Sequence, residues 1–142
     1  MLRSFVFLLL AVPLAFAAPV PKEVRNGAIL EGTWKVLALS TNGQPSEPHS
    51  AYWTIGAEGT LTRHDEAKPP AAESPIRFKH DRATKAVDYA VNGRNYPGLY
   101  ELRGDTLKFC FNMNAQDRPR AIGEGQHLNL WTFARVESEE KK

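Results

Sequence analysis

From Gly32 onward the chain alternates in short steps between apolar and polar positions. In Thr106-Leu107-Lys108-Phe109-Cys110-Phe111, the residues Leu107, Phe109 and Phe111 share one face of an extended chain while Lys108 points to the other. Ile76 and Phe78 alternate with Arg77 and Lys79 in the same way, and Val87, Tyr89 and Val91 with Asp88. A period of two, in runs rich in Val, Ile, Thr, Tyr, Phe and Trp, is the mark of a strand buried on one side. No helical period is sustained after Gly32, although Gly27 to Leu30 could form a short turn of helix.

The pattern predicts eight strands: Thr33 to Leu39, Ala51 to Ile55, Gly59 to Arg63, Ile76 to His80, Ala86 to Val91, Gly98 to Leu102, Thr106 to Phe111 and His127 to Val136. Each strand with its connection takes about 13 residues, the density of an antiparallel sandwich or barrel. Parallel pairing is excluded, because each crossover would need a dozen or more residues. Glu58-Gly59, Asn92-Gly93 and Arg103-Gly104-Asp105 supply the positive-φ residues that tight hairpins demand, so neighbouring strands should pair in a meander. Two connections are long, His64 to Pro75 and Asn112 to Gln126, and either could line a mouth or run as a solvated link. The last strand carries bulk on both faces and should be covered on both.

The first residues follow another pattern. Arg3 precedes an apolar run from Ser4 to Ala17 that ends in Ala15-Phe16-Ala17, with small residues at the two positions a signal peptidase reads. The run is about 14 residues, short of the roughly 20 that a membrane-spanning helix needs, and Pro13 interrupts it. A signal peptide over residues 1–17 is expected, and with it export to a periplasm or the cell exterior, with no membrane span after cleavage. Residues 18–29 read as a flexible lead-in, 30–136 as the folded domain and 137–142 as a charged tail.

The chain has 18 Lys and Arg against 16 Asp and Glu, too balanced for a nucleic-acid binder, whose affinity rests on concentrated positive charge. Its single cysteine, Cys110, can form no internal disulfide and reads as a packed strand residue, so the core must supply the stability. His49, His64, His80 and His127 have no metal-ligand spacing, and no nucleophile motif, phosphate loop or distinctive carboxylate pair is present. The chain is expected to be a monomer that is not an enzyme, with no metal site and no cofactor.

Leu30-Glu31-Gly32-Thr33-Trp34-Lys35-Val36 resembles the Gly-x-Trp signature of the first strand of the lipocalin superfamily. Together with Gly98-Leu99-Tyr100-Glu101-Leu102-Arg103-Gly104-Asp105-Thr106-Leu107-Lys108-Phe109-Cys110, the pair Arg118-Pro119 and the closing Arg135-Val136, it resembles the planctomycete lipocalin-like domain family over about Leu30 to Val136. The chain departs from that pattern at Arg120, which intervenes before Ala121 and Ile122, and in the Pro-rich stretch from His64 to Pro75. The resemblance implies an exported, single, eight-stranded up-and-down barrel, lipocalin-like and with no established activity.

A barrel of eight strands can hold one small ligand or fill its interior with side chains. Val36, Ala38, Phe78, Tyr89, Tyr100, Phe109 and Leu130 are the candidate lining, suited to a small apolar or aromatic ligand. If the lining fills the space instead, the protein would act through its loops on an envelope protein or a protease. Gly32, Trp34 and Arg135 are expected to close one end, with the indole as a plug and the guanidinium on its face.

Overall fold

A computed structural model describes residues 30–56, 59–66 and 76–137; the expected signal peptide, lead-in and charged tail lie outside these residues, apart from Glu137. The described residues form β-strands and turns without helix. The strands are β1 (Gly32–Thr41), β2 (Gln44–Ser46), β3 (Tyr52–Ile55), β4 (Thr60–His64), β5 (Ile76–His80), β6 (Ala86–Val91), β7 (Arg94–Arg103), β8 (Thr106–Asn112) and β9 (Leu128–Arg135). All pair antiparallel, in the order β2-β1-β3-β4-β5-β6-β7-β8-β9, and β1 also pairs with β9. Eight strands therefore close an antiparallel up-and-down barrel, as expected, and β2 is a short ninth strand folded back on the end of β1 through the Asn42-Gly43 turn.

The hairpins form where positive-φ residues permit them. Asn92 and Gly93, at φ 51° and 76°, join Val91 directly to Arg94, so β7 runs four residues further back than its expected start at Gly98. Pro97 is tolerated there because β8 joins β7 only from Gly98 onward. The N–H that proline lacks would face that unpaired side.

β1 breaks the period of two. Its register to β9 shifts between Val36 and Ala38, so that Val36 and Leu39 are both buried while Leu37 and Ala38 are exposed. The bulge moves Ala38 off the inner face, where strict alternation had put it.

The interior is packed with rings. Trp53 lies in the middle, its ring centroid 4.7 Å from that of Trp131, 5.0 Å from Phe133, 6.0 Å from Phe109 and 6.3 Å from Tyr89. Phe78 meets Phe109 edge-on at 5.6 Å. Rings from β3, β5, β6, β8 and β9 thus meet across the barrel, and the indole N–H of Trp53 is satisfied by the Ser50 hydroxyl at 3.1 Å.

Candidate functional site

The two ends of the barrel differ. At the end where β1 begins and β9 finishes, Trp34 is fully buried and donates its indole N–H to the Leu30 carbonyl at 2.9 Å. The Arg135 guanidinium lies 4.2 Å from the Trp34 ring centroid, donates to the Glu31 carbonyl at 3.2 Å and lies 3.8 Å from an Asp105 carboxylate oxygen. Gly32 holds φ at 126°, and a Cβ there would stand 3.4 Å from an Arg135 nitrogen, so backbone and guanidinium share a confined space. These residues plug that end of the barrel.

Toward the other end, where β4 finishes, β5 starts and β6 turns into β7, a cavity of about 590 Å³ opens. Leu61, Ile76 and Val91 form its apolar wall, while Ser50, Thr62, Arg63, His64 and Asn92 give it polar groups, with His49 and Asp65 exposed at the rim. Among the described residues β4 and β5 pair at Thr60 with Arg77 and at Leu61 with Ile76, and the cavity lies past these pairs, alongside Thr62, Arg63 and His64. Its volume lies within the roughly 300–1,000 Å³ of small-molecule sites.

Of the residues expected to line a ligand chamber, Val36, Phe78, Tyr89, Tyr100 and Phe109 face the interior as members of the packed core. They touch one another or their neighbours rather than an open chamber. Ala38 is exposed outside, for the reason given by the bulge. Leu130 is also outside: it pairs with Cys110, whereas its neighbours Trp131 and Phe133 point in. None of the seven contributes to the mouth cavity.

The outer face at Cys110, the cross-strand partner of Leu130, is covered by the long 113–127 connection. The thiol of Cys110 donates to the Gly123 carbonyl at 3.4 Å, and burial pushes its pKa up. Arg118 fastens the same connection to the sheet, donating to the carbonyls of Val87 and Gly98 at 2.9 and 2.7 Å and to the Asp88 carboxylate at 2.9 Å. This stretch is thus an ordered cover on the barrel wall.

Two side chains give the mouth its chemistry. Arg63 pairs across the sheet with Trp53 and so shares the inner face. Its charge also reaches Tyr89, whose phenol is pushed up by burial while Arg63 pulls it down and Tyr96 adds a smaller rise. His64 pairs with Tyr52, stacks on that ring at 5.8 Å between centroids, and is only 6% exposed. Its Nδ1 donates to the Glu66 carbonyl, which can only accept, and its Nε2 shares a hydrogen bond with the Thr54 hydroxyl at 2.8 Å. The Thr54 oxygen in turn meets the Thr33 hydroxyl at 2.9 Å. The imidazole thus closes a chain of hydrogen bonds across β1, β3 and β4.

Sequence reasoning missed both residues as a pair. His64 ends a strand next to Asp65, where a polar residue is ordinary. Arg63 sits one position before it with nothing to mark that it points inward; only the register to Trp53 does so. Among the described residues, no group of three or more His, Cys, Asp and Glu side chains is arranged to hold a metal. Comparison with family models, with curated proteins and with solved structures finds no match to this chain.

Proposed function

We propose that the protein is a non-catalytic binding protein that takes one small ligand with an apolar or aromatic body at the open mouth of the barrel. The mouth cavity carries this reading: it has the volume of a small-molecule site, and its lining joins the apolar Leu61, Ile76 and Val91 to polar groups such as Arg63 and Thr62. The ring packing around Trp53 argues against a ligand deep in the barrel, since a guest there would have to displace closely packed side chains. The Gly-x-Trp opening and the apolar N-terminal run support reading the protein as an exported member of a lipocalin-like family.

Titration with the fluorescent probe N-phenyl-1-naphthylamine tests the reading. Saturable binding is expected, and Val91→Trp, which puts an indole into the half-buried mouth, should weaken it by about tenfold or more with the fold intact. Binding that ignores both Val91→Trp and Ile76→Trp would move the site elsewhere.

A second reading rests on the cover formed by residues 113–127. A connection already ordered by Arg118 presents a surface that a protein partner can bind at little entropic cost. Envelope proteins recovered on immobilised wild type, and lost with Arg118→Ala, would favour it over the mouth.

A further inference from the structure

We infer that the ligand of the mouth is anionic, an organic acid whose negative group is held by Arg63 while its apolar body lies along Leu61, Ile76 and Val91. The inference rests on the mouth reading above and adds the chemical class of its ligand. Arg63 is half-buried on the inner face, in the cavity wall. Among the described residues no carboxylate pairs with it: Arg103, Arg118 and Arg135 each have an acidic partner within 4 Å, and Arg63 has none.

A cation partly withdrawn from water, with no counter-charge among the described residues, costs free energy, which an anion arriving in the mouth recovers. The planar fork of the guanidinium suits a carboxylate or sulfonate, which it can grip through two parallel hydrogen bonds. Both ring nitrogens of His64 are engaged within the chain from Glu66 to Thr54, so the grip on the acid falls to Arg63. Asp65 is exposed at the rim and would repel an acid only at its entry.

Two probes of nearly the same shape provide the test. 1-Anilinonaphthalene-8-sulfonate carries an anionic group, and N-phenyl-1-naphthylamine is the same skeleton without it. Wild type should bind the sulfonate about tenfold more tightly than the neutral probe, the size expected of one charge-assisted contact. Arg63→Gln should remove that margin and leave neutral-probe affinity within about twofold, while Arg63→Lys keeps part of it. Arg77→Gln, on the outer face of β5, should leave the margin intact and so separates a specific contact from general surface charge. If the glutamine variant does not fold, Arg63→Met, which keeps the apolar stem, takes its place.

Equal affinity of wild type for the two probes, or a margin that survives the loss of Arg63, overturns the inference while neutral-probe binding at the mouth still stands. If neither probe responds to Val91→Trp, the mouth reading itself has failed.

Discussion

The guanidinium of Arg135, near the end of the last strand, lies 4.2 Å from the centre of the Trp34 indole at the start of the first. This contact joins the two ends of the sheet and stoppers the barrel at once. Trp34→Ala should cost about 3–5 kcal/mol as a truncation in a packed site. Arg135→Met, which keeps the stem but removes the charge, should cost about 0.5–2 kcal/mol. Urea denaturation of both variants checks the ranking, and equal costs would mean that the indole is not the main plug.

Gly98 sits on β7 tight against β8. A Cβ there would fall 2.6 Å from the Cys110 carbonyl oxygen and 2.6 Å from the Phe111 ring. Gly98→Ala is expected to cost about 1–3 kcal/mol by overpacking. Gly93→Ala meets no atom within 4 Å, and its cost should be only that of a positive φ, about 1 kcal/mol. Thermal unfolding of the pair separates crowding from backbone strain.

Arg118 holds the 113–127 connection over Cys110. Arg118→Ala removes three hydrogen bonds from a charged donor and should cost about 1.5–3 kcal/mol. The thiol should then react with a disulfide reagent about tenfold faster than in wild type, because local opening of the cover limits access. An unchanged rate of modification would show that the cover opens by a motion Arg118 does not restrain.

His80 packs at 6.0 Å between centroids against both Phe78 and Tyr100. Burial, reinforced by the nearby Arg82 cation, holds its pKa below the ordinary 6.5, with Glu31 and Asp81 acting weakly the other way. Between the folded-state value and 6.5 the unfolded chain binds more protons than the folded one, so stability must fall as pH is lowered through that window. Below the folded-state value the loss is complete and the curve levels. His80→Gln should flatten the dependence, read from urea midpoints between about pH 7.5 and 5; an identical slope in the variant would exclude His80 as its source.

The strands of this protein were legible where alternation is strict and turns carry glycine, as from Ala86 through Asn92-Gly93 and from Thr106 to Phe111. Ala38 could not be placed, because a bulge leaves no mark when the extra residue is another apolar one, here Leu37. β2 escaped notice because its three residues, Gln44-Pro45-Ser46, look like the loop that surrounds them. The mouth was the least legible part. Its lining comes from separate stretches around Ser50, β4, the start of β5 and the end of β6, which only the register brings together, and its two distinctive side chains are adjacent residues pointing to opposite faces. Composition could suggest that the interior holds an aromatic ligand, but whether rings contact one another or a guest depends on distances across the barrel.

β1 pairs with β9 from Trp34 to Thr41 and with β3 and β2 along its other edge, and a hydrogen bond between residues 104 positions apart helps lock the seam. Until the last strand has been made, β1 and β8 each present a bare edge to which other polypeptides can attach. A chain cut short before β9 would be an adhesive open sheet rather than a smaller barrel. Closure therefore has to wait until β9 has been made, however early the other strands pair.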